Sequence, residues 1–185
     1  TEAILPSNEQ IAGERYLAGD RMKFYVAEVK LAGNNPQIVL SRTHPGLVKK
    51  LFEQEVPECG DGVVEIKSIS REAGSRSKIS VFSQDENVDA VGACVGPRGS
   101  RVQVICDELG GEKIDIIKYS DDPALFISAS LSPSDVVRCD INEEEHSAKV
   151  LVPAGQLSLA IGKEGQNARL AAKLTGWKID IKPEE

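Results

Sequence analysis

Residues 161–171 read IGKEGQNARLA, and residues 95–105 read VGPRGSRVQVI. Each stretch places Gly-x-x-Gly directly before a run whose apolar residues recur at helical spacing. In the earlier stretch and just beyond it, the apolar helix face consists of Val102, Ile105, Cys106 and Leu109. One motif occurring twice in a short chain indicates an internal repeat, and the rest of the sequence is interpreted from it.

The repeat extends on both sides of these motifs. Downstream, residues 111–116 (GEKIDI) match residues 176–181 (GWKIDI), and upstream, residues 77–81 (SKISV) match residues 148–152 (AKVLV). The spacing between matched blocks falls from 71 to 65 residues along the chain, so the first copy carries about five extra residues, within positions 84–89. Two copies of one small module are therefore predicted.

Each copy predicts the same order of elements: helix, strand, strand, helix, Gly-x-x-Gly, helix, strand. The opening helices are predicted over about 44–54 and 123–131, and glycines typical of helix ends follow the last helices. The first two strands of each copy are β-rich runs separated by a polar turn. These runs cover residues 63–69, 78–82, 136–141 and 149–152.

Residues 1–43 lie outside the repeat. Strands are predicted over 22–30 and 37–41, with tight turns before them. A two-stranded unit is marginal by itself. This segment is therefore predicted either to be the tail of a larger barrel or to pack on the first module.

Composition describes an ordinary globular chain with an acidic balance. Of the 185 residues, 41% are hydrophobic and 28% are charged, and acids outnumber bases 29 to 22 for a net charge of −7. No apolar run approaches the ~18 residues of a membrane span, and no secretory signal begins the chain, so a cytoplasmic protein is expected. Four Phe, three Tyr and one Trp leave little for aromatic base stacking. The averages thus argue against a nucleic-acid binder that works by bulk charge.

Cysteine and histidine spacing argues against metal and nucleophile chemistry. The four cysteines are spaced 35, 12 and 33 residues apart, unlike the close pairs of zinc sites, and they are interpreted as buried thiols. His44 and His146 fall at element edges, so neither catalytic residues nor a cofactor are predicted. The acidic run 143–145 is interpreted as a solvated hairpin tip, with a protein partner or a magnesium ion as alternatives.

The glycine loops carry the chemistry of a phosphate clamp. Glycine lets the backbone approach a ligand closely, and the following helix offers free N–H groups and a positive dipole end. Both loop neighbourhoods are net +2 in an acidic chain; their charged residues are Arg98 and Arg101, and then Lys163, Glu164, Arg169 and Lys173. P-loop and dinucleotide spacings do not fit. The KH module remains, whose Gly-x-x-Gly holds about four nucleotides of a single strand.

Residues 161–171 resemble the second KH module of the bacterial NusA family of transcription factors, and residues 91–102 (VGACVGPRGSRV) resemble the first. Residues 40–45 (LSRTHP) and 66–74 (IKSISREAG) resemble the same family, so the resemblance covers essentially the whole chain.

The resemblance implies an α/β (α+β) fold with two tandem type II (prokaryotic) KH domains, at 44–121 and 122–185. The C-terminal part of an S1-type OB β-barrel, at 1–43, precedes them. It also implies a monomer that binds nascent single-stranded RNA and modulates RNA polymerase pausing, termination and antitermination with other transcription factors. The family's N-terminal polymerase-docking domain and the first barrel strands are missing, so a fragment with impaired polymerase activity is expected.

The RNA-binding residues predicted on this basis lie in the two loops, at the starts of the following helices, and on one strand of each copy. They are Gly96, Pro97, Arg98, Gly99, Ser100, Arg101, Gly162, Lys163, Glu164, Gly165, Gln166, Asn167, Arg169, Lys78 and Lys149. Gln166 and Asn167 are predicted to bond bases or 2′-hydroxyls, or else to cap the helix. The matched lysines are predicted to bind RNA, or else to be exposed strand lysines with no specific role. Trp177 is predicted to pack rather than stack on a base.

Two other functions stay open at this point. KH and S1-type units also hold substrate for bacterial exoribonucleases, where a single KH precedes the S1-type unit, and KH modules occur in ribosome-associated proteins. Glu164 places an acid in the second clamp, so a protein-interaction scaffold with a lapsed second loop is the other alternative.

Overall fold

Three separate three-stranded sheets organise the chain. The computed structural model describes the backbone of residues 1–185 and the side chains of residues 1–31 and 33–185. In the first sheet, β2 (Tyr25–Ala32) pairs antiparallel with β3 (Asn35–Ser41), and β1 (Ala3–Ile4) pairs with β3 in parallel. The sequence predicted only the two longer strands, because two residues are too few to show alternation.

The first repeat has the predicted order of elements, with one short helix added. They are α1 (Pro45–Glu55), α2 (Pro57–Gly60), β4 (Val64–Glu72), β5 (Arg76–Ser83), α3 (Ala90–Val95), α4 (Ser100–Glu108) and β6 (Lys113–Lys118). β4 pairs antiparallel with β5, and β5 pairs in parallel with β6. Parallel pairing needs a crossover connection, and α3, the glycine loop and α4 supply it.

The second repeat reproduces this arrangement. Its elements are α5 (Pro123–Ser130), β7 (Arg138–Asn142), β8 (Ser147–Val152), α6 (Leu157–Ile161), α7 (Gln166–Thr175) and β9 (Lys178–Pro183). β7 and β8 are antiparallel, and β8 and β9 are parallel. The predicted repeat and its element order are confirmed.

Local sequence explains where the opening helices begin. His44 caps α1, since its Nδ1 accepts a hydrogen bond from Gly46 N at 2.8 Å, and Asp122 caps α5 through Ala124 N at 3.0 Å. Each cap is followed by proline, whose fixed φ suits the first helical position. Both helices therefore start within one residue of the predicted positions.

Each repeat encloses its own core between its sheet and its helices. The first core centres on Val48, Phe52, Ile79, Val81, Cys94 and Ile105. The second centres on Ile127, Leu131, Val150, Val152, Ala160 and Ala171. Trp177 packs against the second core and stacks on His146, with ring centroids 3.8 Å apart, so its predicted packing role is confirmed.

The turn between β4 and β5 is shorter than its polar sequence indicated. The polar stretch 71–75 was predicted to be turn, but β4 continues to Glu72. Arg71 and Glu112 form an ion pair at 3.0 Å in which both side chains are 0% exposed. Glu112 also accepts hydrogen bonds from Gly74 N and Ser77 Oγ. Because these groups satisfy one another, polar residues lie inside the fold there.

The N-terminal sheet is joined to the first repeat by a buried arginine. Arg42 is 1% exposed, and two of its nitrogens reach Glu14 at 2.8 Å each. The same guanidinium donates to the carbonyls of Lys23 and Glu108. Hydrogen bonds from Arg42 and Tyr16 lower the pKa of Glu14 even though burial opposes its ionisation. Residues 1–43 therefore pack on the end of α4, as one of the two sequence-based alternatives predicted.

The helices that the structure describes are all too short, and not apolar enough, to cross a bilayer.

Candidate nucleic-acid interface

The first glycine loop joins α3 to α4 in an unusual backbone conformation. Gly96 has φ 74° and ψ 169°, Arg98 has φ 55° and ψ 30°, and Gly99 has φ 74° and ψ 15°. A hydrogen bond from Gly99 N to Gly96 O, 3.0 Å long, closes the turn. A non-glycine residue with positive φ is uncommon, and such strain concentrates at functional sites.

The second loop adopts the same conformation with different side chains. Gly162 has φ 77° and ψ 171°, Glu164 has φ 55° and ψ 26°, and Gly165 has φ 74° and ψ 12°. Gly165 N donates to Gly162 O at 3.2 Å. The backbone geometry is therefore a property of the motif and does not depend on whether the middle residue is basic or acidic.

The two glycines of each loop have different surroundings. A Cβ on Gly96 would lie 2.9 Å from Arg101 N, and a Cβ on Gly162 would lie 2.8 Å from Asn167 N. At Gly99 and Gly165 the nearest atoms would be 4.0 and 3.9 Å away. The first glycine thus lets the next helix approach, while the second leaves open space in front of the backbone.

Both helices after the loops begin without a side-chain cap. Gly99 is the residue before α4 and Gly165 is the residue before α7, and neither position supplies a side-chain acceptor. The first N–H groups of an α-helix have no partner within the helix. The first helical N–H groups, of Ser100 and Gln166, donate back into the loops to Pro97 O and Lys163 O. Each loop therefore offers an anion the positive end of a helix dipole next to an open glycine.

The predicted loop cations divide into free and paired groups. Arg98 and Lys163 are exposed, and neither has an ion-pair partner among the described side chains. Arg101 instead reaches Glu58 at 2.9 Å and Ala93 O at 2.8 Å. Arg169 lies 2.7 Å from Glu72 of the first repeat. All four cations were predicted to bind RNA, but two of them, Arg101 and Arg169, are already paired with acidic side chains.

Several predicted site residues have structural partners. Asn167 is 0% exposed and donates to the carbonyls of Leu131 and Ala160 at 3.1 and 2.9 Å. The sequence offered base contact or capping for Asn167, and both are wrong because its amide is buried. Gln166 donates from Nε2 to Ser75 Oγ at 2.8 Å, across the two repeats. Pro97 and Ser100 are exposed at the first loop.

The matched strand lysines differ completely in environment. Lys78 is 0% exposed, and its Nζ lies 2.9 Å from Asp115 and 2.8 Å from Ser132 O. Burial lowers the pKa of Lys78 despite the nearby carboxylate. The interpretation of Lys78 as an exposed RNA-contacting lysine is therefore wrong, because its side chain joins the first repeat to the segment before β7. Lys149 is exposed, and its predicted RNA contact stays a prediction.

The two repeats contact each other directly beside the second loop. Ser70 Oγ donates to Leu170 O at 2.8 Å in a buried contact, so β4 of the first repeat supports α7 of the second. The Arg169 side chain also donates to Glu164 O at 3.0 Å while it pairs with Glu72. Sequence reasoning missed these contacts, because nothing in a local pattern shows which strand a distant helix will meet.

The extra residues of the first copy form a cavity away from the glycine loop. It has a volume of about 440 Å³ and is lined by the insertion, the start of α3, and the ends of β5 and β6. Lys67 Nζ lies 5.3 Å from the Phe82 ring and 5.4 Å from the Tyr119 ring nearby.

The remaining acids and cysteines show no arrangement for metal binding among the described residues. No group of three or more His, Cys, Asp or Glu side chains within them is placed to hold a metal ion. The hairpin tip 143–145 is exposed between β7 and β8, as predicted. All four cysteines are free, and Cys59 and Cys94 are buried.

The fold and the paired loops define a protein with two tandem type II KH domains. Residues 42–119 match the NusA-like first KH domain, and residues 123–185 match the NusA-like second KH domain. The chain is also 62% identical over 183 residues to the transcription termination/antitermination protein NusA of Bacillus subtilis, covering 99% of this chain and 49% of that protein. The chain belongs to the NusA family.

Other relatives carry the same name. The NusA proteins of Mycobacterium tuberculosis and Thermus thermophilus are 56% and 48% identical, over 98% and 100% of this chain and 53% and 48% of their own lengths. The chain spans about half the length of the curated relatives it matches. A solved structure titled "Crystal structure of APE1850" is 22% identical with a TM-score of 0.53, over 73% of this chain and 95% of that one, and shows a shared fold.

Proposed function

We propose that this chain binds single-stranded RNA by clamping the sugar-phosphate backbone at both glycine loops. The observation that carries the proposal is that two separate loops share one strained backbone conformation. Each has an open second glycine and an uncapped helix start beside it. A phosphate placed there would meet the positive end of the helix dipole with no side chain in between, as in the Gly-x-x-Gly loops of KH modules.

Charge supports RNA as the ligand despite the net charge of −7. The exposed, unpaired cations Arg98 and Lys163 sit at the tips of the loops, whereas Arg101 and Arg169 are neutralised by acids. About two phosphates are thus neutralised. A single strand then gives a slope of about −1.4 in log K against log salt, at ~0.7 per phosphate. Binding is expected to be specific to the loops rather than driven by bulk charge.

The contacts between the repeats favour one strand crossing both loops. Arg169 and Glu72, Gln166 and Ser75, and Lys78 and Ser132 O link the first repeat to the second. A strand bound by one loop therefore meets the other at a raised effective concentration.

The broader role follows the family. The relatives are named for transcription termination and antitermination. We place this chain as an RNA-holding part of such a factor, acting on nascent transcripts with RNA polymerase and other transcription factors in the cytoplasm, as a monomer without catalytic activity. Residues 1–43 are assigned to an S1-type barrel on the resemblance of their sequence, with KH domains at 44–121 and 122–185.

Acidic substitution of the open glycines tests the RNA clamp. Gly99→Asp and Gly165→Asp place a carboxylate in the open space where the phosphate would lie. Each is expected to weaken binding of a single-stranded RNA spanning both loops by about tenfold, or ~1.4 kcal/mol. Fluorescence anisotropy of a labelled oligonucleotide measures the affinity.

Matched controls exist elsewhere in the chain. Gly111 and Gly176 have φ of 93° and 77°, with nothing within 4 Å of an added Cβ, yet both lie outside the loops. Gly111→Asp and Gly176→Asp introduce the same strain and charge, and should keep the affinity within about twofold. Equal losses in loop and control variants would contradict the clamp. A loss with Gly99→Asp alone would favour the scaffold function for the second repeat.

A further inference from the structure

Two buried cysteines lie side by side behind the first glycine loop. Cys59 lies in α2, Cys94 lies in α3 two residues before Gly96, and their Sγ atoms are 3.7 Å apart. Both belong to the core of the first repeat, at 8% and 0% exposure. The RNA clamp uses neither thiol.

The two thiols differ in access to solvent. Cys59 lines a cavity of about 240 Å³ that Lys49, Glu53 and Gly62 also line. Cys94 is 0% exposed and is not among the residues that line this cavity. A small oxidant that enters this cavity therefore meets Cys59 first.

The two thiols also differ in acidity. The hydrogen bond with Cys94 lowers the pKa of Cys59, although burial opposes this. The same contact, together with burial, raises the pKa of Cys94. The thiolate is the reactive form of cysteine. Because Cys59 is the thiol that lines the cavity, it is the attacking sulfur and Cys94 is the resolving one.

We propose that Cys59 and Cys94 form a peroxide-sensitive dithiol, whose oxidation to a disulfide weakens RNA binding at the first loop. The site itself stands on the geometry of the two thiols. The effect on RNA rests on the proposed function.

The chemistry balances with hydrogen peroxide as the oxidant. Cys59 Sγ attacks one peroxide oxygen, the O–O bond breaks, and the leaving hydroxide takes the thiol proton to form water. The sulfur, oxidised by two electrons, is then a sulfenic acid. Cys94 Sγ attacks Cys59 Sγ, the S–O bond breaks, and hydroxide leaves with the Cys94 proton as a second water. Two thiols and one peroxide thus give one disulfide and two waters.

The disulfide would change the geometry of the first glycine loop. Closing the Sγ–Sγ distance from 3.7 Å to about 2.05 Å brings the two sulfur atoms about 1.7 Å closer and pulls α2 and α3 toward each other. Gly96 directly follows α3, and the start of the next helix already lies too close to Gly96 to admit a Cβ. Arg101 bonds to Glu58 and to Ala93 O, the neighbours of the two cysteines, so the same shift reaches the start of α4.

Peroxide treatment followed by peptide mapping tests the disulfide. Cys106→Ala and Cys139→Ala together remove the other thiols and leave the pair intact in the 185-residue chain. Hydrogen peroxide should then consume both remaining thiols and yield one peptide linked through Cys59 and Cys94, and dithiothreitol should reverse this. Adding Cys94→Ala to this background should leave Cys59 as a sulfenic acid that dimedone traps.

The RNA effect is measured on the same samples. Oxidation should lower the affinity for single-stranded RNA at least threefold, and reduction should restore that affinity. In a variant that also carries Cys59→Ala, oxidation should leave the affinity unchanged. Absence of the linked peptide, or linkage between two chains, would overturn the dithiol. Unchanged affinity of the linked protein would overturn the coupling to the loop. If the reduced chain fails to bind RNA, the proposed function is wrong and the coupling with it, while the peptide map still decides the disulfide.

Discussion

The two glycines of the second loop should respond very differently to alanine. Gly162 has φ 77° and ψ 171°, a region open essentially to glycine, where another residue costs about 1–3 kcal/mol. Its added Cβ would lie 2.8 Å from both N and Cβ of Asn167, which is buried and held by Leu131 O and Ala160 O. Because Asn167 cannot move aside, overpacking adds about 1–3 kcal/mol. Gly162→Ala is therefore expected to lower the free energy of unfolding by about 4 kcal/mol.

Gly165→Ala is the matched variant. Gly165 lies in the left-handed helical region, where alanine costs about 1–2 kcal/mol, and the nearest atom to its Cβ is Arg169 Nη1 at 3.9 Å, an ordinary contact distance. Trp177, the one tryptophan, packs on the second core, so its fluorescence reports urea unfolding of this domain. With a slope of about 2 kcal/mol per molar urea, the two midpoints should differ by at least 1 M. Equal midpoints, or a lower midpoint for Gly165→Ala, would refute the conclusion that Gly162 is needed for close packing while Gly165 faces open space.

Two further predictions address the buried charges. Lys78→Met should lower the free energy of unfolding by about 2 kcal/mol, since it removes the buried donor to Ser132 O, while Asp115 keeps its ion pair with Arg76. Lys149→Met, at the matching exposed position, should change it by less than about 0.5 kcal/mol, and thermal melts followed by circular dichroism compare the two; similar losses would contradict the burial argument. Glu14→Gln should destabilise the chain by about 2 kcal/mol at pH 7 by weakening its bonds to Arg42. Because the pKa of Glu14 is lowered in the fold, its contribution is present above the unfolded value of about 4.3 and is lost as pH falls through the folded value. The urea midpoints of variant and parent should therefore converge in acid; a constant gap would contradict this linkage.

The pairing of loop cations shows where prediction from sequence reaches its limit. Counting the charges between Gly92 and Cys106, and between Lys163 and Lys173, found two locally basic segments in an acidic chain. It could not show that Arg169 meets Glu72, because these residues are 97 positions apart and belong to different repeats. Nor could it show that Glu58, 43 positions before Arg101, pairs with that arginine. Of the four loop cations, Arg98 and Lys163 therefore remain as the exposed positive charges without an acidic partner among the described side chains.

The burial of Lys78 and Asn167 could not be predicted from the sequence either. Local alternation predicted strands correctly, because one side of each sheet faces its own helices. It also placed Lys78 on a surface, since lysine is seldom buried. That surface is covered by the segment leading to β7, where Ser132 O and Asp115 accept the ammonium protons. Burial here depends on how the second repeat docks on the first, which no single repeat encodes.

The sequence by itself determined the repeat, the order of elements and the two glycine loops. These features arise from local physics: apolar periodicity, helix caps, and glycines at positions of positive φ, all of which act within a few residues. Only the tertiary structure decided which cations face solvent, which side chains join the three sheets, and that Cys59 meets Cys94. Those outcomes depend on contacts between residues 35 to 100 positions apart, whose geometry is fixed by packing of whole domains rather than by neighbours along the chain.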